Sequence, residues 1–209
     1  MGTTARPGRP VAGDSAVTRR RILKAARERF AHDGLRATTN RLIADDVGIT
    51  TSALYHYFAS KTELYAAVYC ETIDEMYTAF EAAARTESSL LRQFVAVLRC
   101  SCELQRADSS ITGFIVAVAL ETQRRPDLQA LIAPQRGRHV RFFSDLVDNA
   151  AARGEISDDL DREGVADLLG SLMTGLARTA AAAGDLGRYT AAVAVLEQFL
   201  DAEAFAIRR

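Results

Sequence analysis

The sequence predicts an all-α fold. From Ala16 onward, apolar residues recur three and four residues apart, a spacing that places them on one face of a helix. No segment of useful length alternates between apolar and polar residues as a half-buried strand does. The sequence also lacks the repeats of roughly 20 to 50 residues that mark solenoid proteins. We therefore expect a helical protein that is not a repeat array.

Size and composition are those of a globular protein. The 209 residues are 48% hydrophobic and 25% charged, and a chain of this length buries a core without needing a disulfide or a metal. The most apolar stretch, residues 111–120, is about half as long as a membrane-spanning helix. Arg6 and Arg9 are not followed by the apolar run of a signal peptide. We expect a cytoplasmic protein without membrane contact.

Charge is distributed unevenly along the chain. Residues 1–63 contain eleven Lys or Arg against six Asp or Glu, a net charge of +5, and the remaining residues carry −6. A basic N-terminal head on an acidic body indicates that the head is the part that meets a polyanion. A solvated basic helix face, however, would give the same count.

The first helix follows a basic arm. Residues 1–15 are rich in Gly, Pro, Thr and Arg without an apolar period, and we expect them to be flexible. A helix is predicted over residues 16–32, because Ile22, Ala26 and Phe30 share one face and Gly34 is a stop signal.

Two short helices are predicted next, meeting at an angle around Gly48. Either Thr38 or Thr39 caps the first helix, and Thr50 caps the second. Gly48 between them tolerates the left-handed backbone that ends a helix and turns the chain.

The spacing of three residues identifies this pair as a helix-turn-helix. Ala44 is small enough for two helices to cross closely, Gly48 makes the turn, and Leu54 packs the second helix onto the first. Such a unit presents the start of its second helix to the DNA major groove.

The side chains at that start suit DNA. Short hydroxyl and methyl groups approach base edges and phosphates without crowding, and phenol or imidazole groups one turn later can donate to phosphates. Arg41 is the best candidate for a bidentate contact with guanine, and Lys61 is expected to contact a phosphate. We expect the ring of Tyr55 to pack inward while its hydroxyl contacts a phosphate, and Phe58 to be core. Whether His56 contacts DNA is left open.

Further helices are predicted to the end of the chain. Ser60 and Glu63 have the spacing of a capping box that opens a long helix. Periodic segments then lie over residues 91–102 and 111–122. A less regular segment follows over residues 128–147, in which Pro134 must kink or interrupt a helix.

One segment of the chain resembles a known family. The stretch TRRRILKAARERFAHDGLRATTNRLIADDVGITTSALYHYFASKTELYAAV is similar to the N-terminal domain of the TetR family of bacterial transcriptional repressors. The match is carried by Ile22, Ala26, Phe30, Gly34, Thr39, Ile43, Ala44, Gly48, Leu54, Tyr55, Phe58 and Lys61. The chain departs from the commoner family pattern at Asn40, His56 and Tyr57.

The resemblance implies a repressor that a small-molecule effector releases from a palindromic operator in double-stranded DNA. Residues 16–65 would form the DNA-binding domain, and residues 66–209 a ligand-binding and dimerisation domain. With the resemblance added, the residues predicted to contact DNA are Thr39, Asn40, Arg41, Thr50, Thr51, Ser52, Ala53, Tyr55, His56, Tyr57 and Lys61.

The last two helices, about residues 160–183 and 188–206, are the predicted homodimer interface. Gly170 and Gly175 lie beside a broad apolar face in the first of them, which permits close helix contact; an internal core within one subunit is the alternative. The effector itself is not identified. Its candidate contacts are Phe94, Leu98, Cys102, Phe114, Val118, Phe142 and Phe143.

Other functions are less compatible with the sequence. The three histidines are scattered, the three cysteines contain no C-x-x-C pair, and neither G-x-S-x-G nor a glycine-rich phosphate loop is present. We therefore expect no enzyme activity, no metal and no cofactor, and reduced cysteines, with a redox switch as the alternative state. A helical ligand-binding or protein-interaction module without DNA binding remains the alternative function.

Overall fold

The computed structural model describes residues 12–183 and 185–200, and within these ranges the chain is helical without strands. The helices are α1 (Ala12–Ala37), α2 (Asn40–Val47), α3 (Thr51–Tyr57), α4 (Lys61–Ala84), α5 (Leu90–Ala107), α6 (Ser110–Thr122), α7 (Pro126–Ala152), α8 (Arg162–Ala183) and α9 (Leu186–Leu200). The all-α prediction is confirmed. None of the described helices combines the length and apolarity needed to span a bilayer.

The short helices of the head begin and end at the predicted residues. Thr39 caps α2 and Thr50 caps α3, each side chain accepting a backbone N–H three residues later. Gly48 ends α2 in the left-handed region, with φ 74° and ψ 35°. Thr38, the alternative cap, is instead buried, and its hydroxyl donates to the carbonyl of Gly34 at 2.8 Å.

The boundaries of α1 differ from the prediction. The helix begins at Ala12, so residues 12–15 of the predicted arm are helical, while Arg6 and Arg9 lie outside the described residues. Gly34 does break the helix, at φ 76° and ψ 168°, but one further turn follows it before α2. The added turn brings Leu35 into the head core, where it is buried.

The remaining comparisons with the predicted helices concern the cap of α4, Pro134 in α7 and the end of the last helix. Ser60 caps α4 as predicted, accepting from the N–H of Glu63, whose carboxylate accepts from the N–H of Ala59. Helix α7 passes through Pro134 without interruption. The carbonyl that Pro134 leaves unpaired belongs to exposed Ala130, where water can satisfy it. Predicted residues 201–206 of the last helix lie outside the described residues.

The buried side chains form two clusters. The head cluster combines α1 to α4 with four residues of α6 and α7, namely Phe114, Val118, Leu128 and Ile132. The body cluster combines side chains of α4, α5, α7, α8 and α9. Helix α4 contributes to both clusters, and α6 packs extensively on α1. The head core therefore extends beyond residue 65, to which the sequence assigned it.

Candidate nucleic-acid interface

Helix α3 packs against α2 through one face and exposes the opposite face to solvent. Leu54 is its one fully buried side chain, packed with Ala44 of α2 in the head cluster. The next residues along the helix, Tyr55 and His56, are exposed. Buried Phe58 ends the helix, as expected for a core residue. The α2–α3 pair is thus a helix-turn-helix with an open outer face.

The predicted DNA-contacting residues all reach solvent to some degree. The exposed ones are Thr39, Arg41, Thr50, Ser52, Tyr55 and His56. The half-buried ones are Asn40, Thr51, Ala53, Tyr57 and Lys61. They lie on α2 and α3, at the caps of these two helices and at the start of α4, so the helix-turn-helix brings them to one region of the head.

Arg41 projects from α2 with little to hold it. Its side chain is 84% exposed, and its Nε lies 3.9 Å from the carboxylate of Asp45, one turn along the same helix. An exposed pair at this distance contributes little. The guanidinium can therefore turn toward another acceptor at small cost.

The ring of Tyr55 is not packed inward. Tyr55 is 51% exposed, because the buried side chain of Leu54 already fills the space between α2 and α3. The expectation of a packed Tyr55 ring is therefore wrong. Tyr57 is the aromatic residue of α3 that packs partly against the head cluster.

Lys61 has partners that the sequence did not indicate. Its ammonium donates to the carbonyl of Leu35 in the last turn of α1, at 2.7 Å, and to that of Thr38 just after the helix, at 2.8 Å. Burial, with Arg125 nearby, lowers the pKa of Lys61. The side chain therefore ties α4 to α1, and any phosphate contact must be shared with these carbonyls.

Arginine side chains of α1 neutralise and brace the short helices. Arg29 forms two hydrogen bonds with the carboxylate of Asp46, at 2.6 and 2.8 Å, and these bonds lower the pKa of Asp46. Arg21 donates to the carbonyl of Val47 at 2.7 Å, at the end of α2. The negative charge of the acidic residues at the end of α2 is thus partly neutralised by Arg29. No local sequence signal marks these contacts, since the partners lie 17 and 26 residues apart.

A second arginine of α1 connects the head to the body. Arg27 pairs with Asp108, between α5 and α6, at 2.6 Å, and its Nε donates to Ser110 at 3.3 Å. Its side chain is mostly buried. Burial opposes the ionisation of Asp108, but hydrogen bonds from Ser110 and Arg27 outweigh it and lower the pKa. The α5–α6 corner is therefore held to α1 by a charged contact.

The seven candidate effector contacts do not lie together. Phe94, Leu98, Cys102, Phe142 and Phe143 belong to the body cluster. Phe114 and Val118 belong to the head cluster, where the ring of Phe114 lies 5.0 Å from that of Tyr65. Helical period alone could not separate the two groups, because both faces of α6 are apolar. The seven candidates are therefore divided between the two clusters, five in the body cluster and two in the head cluster.

Several cavities border the body cluster, and two of them lie against α8. A cavity of about 410 Å³ lies among α5, α6, α8 and α9, with Cys102 in its wall. Another, of about 360 Å³, lies between α7 and α8 and includes His139 and Phe143. The hydroxyl of Tyr77 lies 2.6 Å from Nδ1 of His139, and burial lowers the pKa of that imidazole. Both cavities are in the size range of small-molecule sites, about 300–1,000 Å³.

Comparison with known proteins identifies the family. Residues 22–68 match the model for "Bacterial regulatory proteins, tetR family". The transcriptional repressor KstR2 of Mycobacterium tuberculosis is 34% identical over 153 residues, which cover 72% of this chain and 75% of that protein. The chain belongs to the TetR family.

Other TetR-family relatives extend over most of the chain. The transcriptional regulator UidR of Escherichia coli K12 is 27% identical over 165 residues, 78% of this chain and 81% of UidR. The structure of Salmonella enterica GusR superposes with a TM-score of 0.67 at 26% identity, covering 88% of this chain and 96% of GusR. FadR of Bacillus subtilis, solved with stearoyl-CoA, shares the fold, with a TM-score of 0.72 at 18% identity and coverage of 85% and 96%.

Membership of the TetR family determines the class of function. The protein is a DNA-binding transcriptional regulator with a ligand-binding C-terminal domain, as the sequence predicted. TetR-family regulators bind DNA and small-molecule effectors and function as dimers. The alternative of a helical module without DNA binding is set aside.

Proposed function

We propose that this TetR-family protein is a cytoplasmic homodimeric repressor. In this proposal each α3 enters the major groove of one half of a palindromic operator, and a small-molecule effector bound in the body releases the DNA. The observation that carries the proposal is the open outer face of α3 beside the unrestrained Arg41.

The proposed DNA contacts have distinct roles. Arg41 forms the bidentate contact with guanine, since its guanidinium is exposed and only loosely paired. Thr51, Ser52 and Ala53 meet base edges at the start of α3. Thr39 and Thr50 use their oxygens as helix caps, so each hydroxyl hydrogen can donate to a phosphate. The remaining phosphate contacts are Asn40, Tyr55, His56, Tyr57 and Lys61.

The proposed dimer forms through α8 and α9. Helix α8 has two apolar faces: Leu169 and Met173 point into the body cluster, whereas Leu168 and Leu172 are 58% and 42% exposed. Val195 of the neighbouring α9 is exposed as well. An internal core accounts only for the first face, so a partner subunit is proposed to cover the second. The proposed domain division keeps residues 16–65 as the DNA-binding head and residues 66–209 as the ligand-binding and dimerisation body.

The proposed effector acts by shifting a population. It binds the dimer in which the two heads are wrongly spaced for the operator, so that occupied protein leaves the DNA. A coupling free energy of about 1–3 kcal/mol is enough for a switch. The Arg27–Asp108 pair and the packing of α6 on α1 are the contacts through which body and head would act on each other.

Operator selection tests the proposal. Purified protein is used to select bound fragments from genomic DNA, and Arg41→Ala is compared with Arg85→Ala, which removes an exposed arginine at the far end of α4. Wild type should select a palindrome with affinity that falls steeply as salt rises. Arg41→Ala should relax the preference at one base pair of each half-site, at a cost of about 1–3 kcal/mol.

The control variant should keep the wild-type preference. Identical preference profiles for wild type and Arg41→Ala would exclude Arg41 from base reading. Failure of the wild type to prefer any duplex over random DNA would contradict the repressor proposal itself.

A further inference from the structure

Arg36 lies in the turn that follows the break of α1. Gly34, at φ 76° and ψ 168°, redirects the chain, and Leu35 then enters the head cluster with 2% of its surface exposed. Adjacent residues of a helical turn do not face the same side. Because Leu35 anchors the turn in the core, its neighbour Arg36 is left on the surface, where the residue is exposed.

The side chain of Arg36 makes no hydrogen bond or ion pair with any described residue. The other five arginines of α1 are each near an acceptor: Arg19 bonds to Glu71, Arg20 shares a groove with Glu71, Arg21 bonds to the carbonyl of Val47, Arg27 bonds to Asp108 and Arg29 bonds to Asp46. Asp33, three residues before Arg36, is already held by Arg29 at 3.5 Å and by His32 at 2.6 Å. The Arg36 guanidinium can therefore bind an anion without giving up a contact within the described protein.

The turn that carries Arg36 adjoins two of the proposed phosphate contacts. The ammonium of Lys61 lies 3.5 Å from the carbonyl oxygen of Arg36 itself. Thr39 follows three residues later, and its oxygen accepts the N–H of Leu42, so the hydroxyl hydrogen is left to donate. Three residues span at most about 11 Å, and the long side chain of arginine covers much of this distance. A phosphate near Thr39 is therefore within reach of Arg36.

Lys61 supplies little free charge at this point of the surface. An ammonium has three donors, and the carbonyls of Leu35, Arg36 and Thr38 surround this one at 2.7, 3.5 and 2.8 Å. Burial lowers the pKa of Lys61. A guanidinium without partners is the better phosphate ligand here, because its N–H groups are all available.

We propose that Arg36 is a further DNA contact, which binds a backbone phosphate at or next to the one bound by Thr39 in each half-site. The inference rests on the proposed function, since it adds a contact to that DNA-binding surface. The sequence gave no sign of this role, because the turn that presents Arg36 follows a glycine that signals the end of a helix. Phosphate contacts carry no base information. Arg36 therefore sets affinity and salt dependence without changing which sequence is preferred.

Salt dependence measures the contact in the full-length protein, with the selected operator and a random duplex as probes. Arg36→Gln should weaken binding to both. A dimer that loses two phosphate contacts, each worth about 0.9 in the slope of log affinity against log salt, should show a slope flatter by about 1.8. Between about 50 and 200 mM salt, the affinity of wild type should thus fall about twelvefold more than that of the variant. Arg36→Lys, which keeps the charge, should keep most of the wild-type slope.

Ethylation of single operator phosphates locates the contact. Ethylation that blocks wild-type binding should no longer matter to Arg36→Gln at one phosphate in each half-site, while the other blocked positions stay the same. The free energy of unfolding should not change, because the side chain has no partner in the described protein. Arg85→Gln is the matched control, since Arg85 is an exposed arginine at the far end of α4. It should keep the wild-type slope and ethylation pattern.

Three results would overturn the inference: an unchanged salt slope for Arg36→Gln, an unchanged ethylation pattern, or equal flattening of the slope by Arg85→Gln. If wild type still selects a palindrome in these cases, only the role of Arg36 is wrong and the repressor proposal stands. If wild type binds duplex DNA but selects no operator, the repressor proposal fails, and the slope on random duplex alone decides the role of Arg36. If wild type binds no duplex, both fail.

Discussion

Gly48 offers a direct test of the turn on which the DNA-binding surface depends. Its φ of 74° and ψ of 35° lie in the left-handed region, where an L-residue costs roughly 1–2 kcal/mol. A Cβ at this position would meet no atom within 4 Å. The cost of Gly48→Ala is therefore backbone strain alone, and we expect the free energy of unfolding to fall by about 1–2 kcal/mol. Gly48→Asn should lose less, because asparagine tolerates this conformation.

The variant Gly48→Val tests whether the turn sets the direction of α3. Valine at position 48 is a severe outlier in this region. To relieve the strain, the turn must give up the hydrogen bonds from the N–H groups of Gly48 and Ile49 to Asp45 and Ala44, at 3.1 and 3.0 Å. Helix α3 then changes direction. We expect Gly48→Val to lose operator binding while the protein stays dimeric through its body.

Denaturant unfolding at one fixed protein concentration, sedimentation and operator binding measure these effects. The reasoning is refuted if Gly48→Ala is as stable as wild type, or if Ala and Asn variants lose the same free energy. Intact operator binding by Gly48→Val would mean that the turn does not set the direction of α3.

Three further predictions concern side chains that the fold brings together. Lys61→Met should lower the free energy of unfolding by about 1.5–3 kcal/mol through loss of its carbonyl contacts. The control Lys24→Met, on the exposed side of α1, should leave the free energy of unfolding unchanged. If Lys61→Met is as stable as wild type but binds all DNA sequences more weakly with a flatter salt slope, Lys61 contacts phosphate alone. Leu172→Glu should give monomers by light scattering, with exposed Leu120→Glu on α6 remaining dimeric; an unchanged mass contradicts the proposed interface. Asp108→Asn should destabilise the protein by about 1–3 kcal/mol at pH 7. Because the pKa of Asp108 is lowered in the folded protein, its contribution to the free energy of unfolding is present above the unfolded-state pKa of about 3.9 and is lost as pH falls through the folded-state pKa. A destabilisation by Asp108→Asn that is as large in acid as at pH 7 would exclude this ion pair.

The sequence by itself determined the helices and the turn of the head. Caps such as Thr39 and Thr50 act within three residues, and the left-handed turn at Gly48 needs only its own backbone. Ala44 and Leu54 then follow from spacing on helices of fixed period, and both are fully buried. Local signals were less reliable where tertiary contacts compete, as at Tyr55, which is half exposed while Leu54 occupies the core position.

Only the tertiary structure decided which distant residues meet. Arg27 and Asp108 are 81 residues apart, and Lys61 binds carbonyls more than 20 residues earlier, so neither contact leaves a periodic or local pattern. The division of the candidate effector contacts between two clusters has the same origin: helical period shows that a residue is buried but not against which helix. Local chemistry thus fixed the DNA-reading unit, whereas the packing of helices far apart in sequence fixed its attachment to the body.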